Sequence, residues 1–272
     1  MKRDLFMQRN VENFLRALGR ALESEDLASA NGWLQRLDPR VKVIGLPALV
    51  MAAVMARRLP VIAALFLLSA VLAALSRIPL GTLAARIWIA VLAFTGVIAL
   101  PAVFLIPGRA LCRLPLLHWP VTAPGSRSAL FLIGRAETAA TLSLLLVLST
   151  PWSHLLKALR TLRVPAVLVV IIGMTYRYIF LLLASARDLF ESRQSRTVGR
   201  LAPLERRRIA VSAAGALLGK SFQLSHEVYL AMQSRGFSGE AHVFSDFAMK
   251  GRDYAGLALL LVLSASALWW GR

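Results

Sequence analysis

The sequence predicts an all-α membrane protein with about five transmembrane helices and long amphipathic cytoplasmic helices. Three observations carry that prediction. Hydrophobic residues make up 57% of the 272, with a mean hydropathy of +0.64, above the roughly 45–50% of a soluble domain. The apolar residues fall in long runs separated by short cationic segments, the arrangement of a positive-inside membrane protein. Between Arg187 and Glu240 the plain apolar runs give way and a Ser-Arg pair closes a helical pattern twice, each pattern opened by a proline, Pro165 and Pro203.

Taken in order, residues 1–42 are mostly polar with amphipathic turns, as in VENFLRALGRALE, and form a cytoplasmic N-terminal segment. No continuous apolar stretch in the first forty residues reads as a signal peptide. Leu37-Asp38-Pro39-Arg40-Val41-Lys42 delivers the chain to a membrane region over 43–150, with spans at about 43–56, 60–76, 87–106 and 129–150. The first two fall short of the usual twenty residues or so, a mismatch met by bilayer thinning or snorkelling. Residues 151–253 form a cytoplasmic helical region, and 254–272 the last span, ending in the interfacial pair Trp269-Trp270.

The apolar run 164–186, interrupted by Tyr176-Arg177-Tyr178, decides the topology. Lys and Arg number 8 in 1–42, 2 in 57–58, 2 in 77–86, 3 in 107–128, 3 in 151–163 and 11 in 187–253. If 164–186 does not cross, 24 cations lie inside and 6 outside, Arg272 included. One crossing would put the two richest segments on opposite sides, against the positive-inside rule. Five spans, with the N-terminus inside and the C-terminus outside, follow.

The formal charge of +18 does not indicate nucleic acid, because the cations lie between apolar runs and no aromatics are interleaved with them. Cys112 is the only cysteine, which excludes an internal disulfide. Histidines 118, 154, 226 and 242 are scattered with no i,i+4 pair, so no metal site is expected in this chain. Gly215-Ala216-Leu217-Leu218-Gly219-Lys220-Ser221 imitates a phosphate-binding loop. It has three residues between its glycines instead of four, and it lies inside a helix. Arg135 and Glu137 are close ionisable residues within the fourth span, but positions i and i+2 do not share a helix face. Packing or snorkelling explains them, and no catalytic constellation stands out.

The helix after Pro203 carries Arg206-Arg207-Arg208, Lys220 and Glu227 and cannot span. Its apolar stripe, Leu217, Leu224, Val228 and Met232, lays one face on a membrane or partner helix. Pro165 lies 31 residues before Arg196, and Pro203 lies 32 before Arg235. Proline suits the first helical turn, glycine the stop, and a cation the C-terminal end of the dipole. Residues 197–202 allow only a tight turn, so the helices fold back or cross and their C-terminal ends lie on the order of 40 Å apart. Ser195-Arg196-Thr197 and Ser234-Arg235-Gly236 thus form two separated tips, suited to two copies of one partner.

The runs LDPRVK, TPWSHLLKALRTLRVP, TYRYI and YLAMQSRGFSGE, in this order, resemble the transmembrane T component of energy-coupling factor (ECF) transporters, most closely its cobalt-type, CbiQ-like branch. The resemblance covers roughly residues 34–270. It implies a non-catalytic scaffold, a multi-pass protein of the bacterial inner membrane with a cytoplasmic N-terminus. It also implies X-Arg-X tips docked in grooves of two ATPase subunits, which bind the ATP and Mg, and a separate substrate-binding membrane subunit. The tips map onto the two triplets above, the first with Thr197 where relatives commonly have Gly. Cobalt is the substrate this likeness suggests; a nickel or vitamin system, or a stand-alone secondary carrier, are the alternatives.

Overall fold

A computed structural model describes residues 32–79, 81, 87–105, 110–113, 120–196, 202–237 and 250–272, with the isolated positions 19 and 28. The amphipathic N-terminal turns therefore lie largely outside the described residues. Helices are α1 (Pro39–Met55), α2 (Leu59–Leu75), α3 (Ile89–Leu105), α4 (Ala123–Ser149), α5 (Trp152–Thr161), α6 (Ala166–Arg196), α7 (Pro203–Ser234) and α8 (Gly251–Gly271). A short antiparallel hairpin of β1 (Ala110–Arg113) and β2 (Pro120–Thr122) joins α3 to α4. It is the one strand pairing among the described residues, whose other regular elements are helices. The chain divides into two compact units, one of Glu25–Ala158 with Phe247–Arg272, the other of Leu159–Asp246 with Met1–Ser24.

In the first unit α1 lies between α4 and α8, with α2 and α3 against α4. Leu46, Leu49, Leu142, Leu145, Leu148 and Leu260 are all almost fully buried and form one core. Close approach of α1 to α8 depends on Gly45, where a Cβ would stand 2.5 Å from Leu260 Cδ1. The α3 end is pinned by Trp88, whose Nε1 donates to Thr141 Oγ1 at 3.1 Å on α4.

One rim of this unit gathers four helix ends. Asp38 caps α1, its side chain accepting from Arg40 N at 2.9 Å, with Pro39 in the first turn. The Asp38 N–H donates to Asp253 Oδ1 at 3.0 Å, and Asp253 Oδ2 accepts from Lys250 N at 2.9 Å, which ties the start of α8 to the start of α1. Lys42 Nζ donates to Ser149 O at 2.8 Å, at the C-terminal end of α4, where a cation suits the dipole. Trp33 N donates to Leu75 O at 3.2 Å, so the end of α2 lies here too. The opposite rim holds the end of α1 and the end of α8, joined by Arg57 N to Gly271 O at 2.7 Å.

By length and composition α4, the Ala166–Arg193 part of α6, and α8 are each long and apolar enough to cross a membrane, whereas Leu59–Leu75 and Ile89–Pro101 are shorter apolar helices. At about 1.5 Å per residue, the 17 residues of α1 and of α2 span roughly 25 Å, short of the ~30 Å hydrocarbon core.

Candidate functional site

The second unit is built on α6 and α7, which run antiparallel. Arg193 Nη2 donates to Ser212 Oγ at 2.9 Å, and Lys220 Nζ donates to Ser185 Oγ at 2.8 Å. Farther along, Thr175, Tyr178 and Ile179 of α6 face Ser221, Leu224 and Val228 of α7 across a groove of about 640 Å³. The i, i+3, i+4 positions of TYRYI thus line the groove, while Arg177 is exposed. The sequence-predicted stripe of α7 faces the same way, Leu224, Val228 and Met232 all lining it. The phosphate-loop imitation sits inside α7, with Lys220 engaged by Ser185.

α7 ends in a Schellman motif. Phe237 N donates to Met232 O at 3.0 Å and Gly236 N to Gln233 O at 2.9 Å, the 6→1 and 5→2 pair of that cap. Gly236 has φ +78°, a left-handed conformation that glycine adopts without a Cβ penalty. Met232 and Phe237 both line the groove, supplying the apolar contact that accompanies this cap. Arg235 is left as the C-cap residue, exposed.

α6 ends at Arg196, also exposed and in the last turn. Ser195 Oγ donates back to Glu191 O at 3.0 Å, and Ser234 Oγ to Ala231 O at 3.0 Å. Both serines are therefore folded onto their own helices, and the arginine is the projecting group at each tip. Glu191, the acid nearest Arg196 on α6, pairs with Arg187 at 2.7 Å. Among the described residues neither the Arg196 nor the Arg235 side chain has a hydrogen-bond or ion-pair partner. Thr197 and Gly199 lie outside the described residues. Since α6 and α7 are antiparallel, the two tips lie at opposite ends of the pair. Arg196 falls level with about residue 209 of α7, so the 1.5 Å helical rise puts the tips roughly 40 Å apart.

Along α7 there is a second apolar stripe that sequence reasoning missed. Val211, Leu218, Phe222 and Tyr229 are exposed at 72%, 58%, 70% and 53%. Their 7-4-7 spacing marks a helical face, hidden in the sequence by the charged residues around it. α6 likewise exposes Val167, Leu168, Ile171 and Ile179.

In the other unit, Arg135 and Glu137 diverge as their spacing requires. Arg135 Nη2 donates to Ala56 O at 2.6 Å, closing the end of α1, while Glu137 faces an apolar cavity beside Ile62, Phe66 and Trp88. Both Glu137 carboxylate oxygens are buried without a hydrogen-bond partner. Sequence reading also missed Asp253 and Ser149 as partners of LDPRVK; an acid three residues after Lys250, at a helix start, was the available signal. Burial lowers the pKa of His154 on α5, helped by Lys157 and Lys42 and opposed by Asp38. Among the described residues no group of three His, Cys, Asp or Glu converges on a metal-sized site, and His118 and His242 lie outside them.

The family model of the cobalt transport protein CbiQ matches residues 30–244. An uncharacterized protein of Methanocaldococcus jannaschii is 31% identical over 269 residues, 97% of this chain and 91% of the relative. The cobalt transport protein CbiQ of Rhodobacter capsulatus is 30% identical over 198 residues, 71% of this chain and 74% of the relative.

Proposed function

The chain belongs to the CbiQ family of cobalt transport proteins, and from that premise we propose that it is the membrane coupling subunit of an ATP-driven ECF-type cobalt importer. Two arginines, exposed at opposite ends of one antiparallel helix pair and with no side-chain partner among the described residues, are the observation that carries this reading. Each guanidinium enters a polar groove on one of two ATPase subunits and makes charge-assisted hydrogen bonds to carboxylates or carbonyls there. The partners bind ATP and Mg. When ATP draws them together they draw the tips together, and α6 and α7 tilt in response. The exposed stripe Val211, Leu218, Phe222, Tyr229 is the face on which a separate substrate-binding membrane subunit rests.

This reading requires α6 and α7 to stay on the cytoplasmic side, and the first unit supports that. Ser149, where the chain leaves α4, and Lys250, where it enters α8, lie on one rim through Lys42, Asp38 and Asp253. The segment between them therefore crosses the membrane an even number of times. α7, with three consecutive arginines, is too charged to cross, so α6 does not cross either despite its length. Five spans result, with the N-terminus inside, as the cation distribution also favours.

Cobalt uptake into proteoliposomes tests the proposal. Uptake should require ATP, both ATPase subunits and the substrate-binding subunit, and should be lost in Arg196→Ala/Arg235→Ala. Uptake by this chain alone would make it a self-contained carrier.

A further inference from the structure

At the rim opposite the four gathered helix ends, a cavity of about 810 Å³ opens among the ends of α1 and α8 and the middle of α4. Three guanidinium-bearing residues line it, Arg57, Arg135 and Arg272, together with Met55, Leu268 and Trp269; no acidic side chain does. Only 6 cations fall outside by the charge distribution read above, and two of these, Arg57 and Arg272, converge here with Arg135. Arg135 is held in place by its bond to Ala56 O and by the Phe131 ring 5.3 Å from its guanidinium carbon, yet its Nε is buried with no partner. The backbone of Arg57 is fixed by Gly271 O, which leaves its side chain available.

We propose that this cavity binds the headgroup phosphate of an anionic phospholipid. A phosphodiester accepts the forked donors of two arginines at once. The depth fits, because Trp269 and Trp270, exposed at 81% and 72%, mark an aromatic belt at the end of α8. The apolar side of the cavity fits an acyl chain: Val54 and Met55 are exposed at 48% and 55% and continue into the lipid-facing surface of α1. A free phosphate would leave that apolar wall unused. The site depends on membrane embedding alone and stands apart from the coupling role.

The purified full chain in a neutral detergent is titrated with phosphatidylglycerol, phosphatidylcholine, glycerol phosphate or inorganic phosphate, following bound lipid by native mass spectrometry and the thermal midpoint. Phosphatidylglycerol should bind and raise the midpoint, and the other three should not. Arg57→Gln/Arg272→Gln should weaken phosphatidylglycerol roughly tenfold or more, the scale of a lost charge-assisted pair. Arg58→Gln, adjacent in the chain but outside the cavity, should leave it unchanged. If the double variant fails to fold, single Arg57→Gln carries the comparison. Equal binding of phosphatidylcholine, equal loss in Arg58→Gln, or an equal response to inorganic phosphate would each overturn the lipid assignment.

Discussion

Lys42 is among the largest fully buried side chains in the molecule, and its ammonium is held on a helix-terminal carbonyl. Lys42→Met leaves that carbonyl unpaired and should lower the thermal midpoint, at a cost of about 1–3 kcal/mol. At the tips, Arg→Lys should not be silent, because an ammonium keeps the charge and loses the fork. Arg196→Lys or Arg235→Lys should weaken ATPase binding by about tenfold, measured by titration calorimetry. The tips were legible in the sequence because a helix-opening proline and a terminal Ser-Arg recur at nearly equal spacing. The partners of Lys42 were not, since Ser149 lies 107 residues away and no local pattern joins them.

At the scale of elements, helix existence followed from apolar runs, but helix starts came from capping chemistry. α4 begins at Ala123, earlier than the run at 129 suggests, because Thr122 caps it, its side chain accepting from Gly125 N at 3.3 Å. The hairpin between α3 and α4 had no alternating pattern to announce it. Packing of α1 on α8 is also beyond hydropathy, resting on the missing Cβ at Gly45. Gly45→Val should therefore separate the two helices, with an overpacking cost of about 1–3 kcal/mol seen as a lowered thermal midpoint. Gly236→Ala has open space for its methyl group, so only the left-handed backbone opposes it. It should cost about 1 kcal/mol and speed amide exchange at Gly236 and Phe237, whose bonds close the α7 tip.

Across the whole molecule, the five-span topology proposed above rests on charge distribution and rim geometry, although α6 has the length and hydropathy of a sixth crossing. Hydropathy cannot distinguish an apolar helix facing lipid from one facing a partner, whereas the placement of cations depends on which side each segment occupies. In a Cys112→Ser background, single cysteines replacing Arg163 and Arg193, at the two ends of α6, should both resist an impermeant maleimide added outside intact cells. Labelling of either one from outside would place an end of α6 across the membrane and break the five-span topology.

The measurement closest to the coupling role is the number of ATPase subunits retained by the purified chain, read by native mass spectrometry. Two should bind to the wild type and none to Arg196→Glu/Arg235→Glu, with the double variant still folded by its thermal midpoint. Two subunits retained on that double variant would contradict the assignment of the arginine tips as the coupling points.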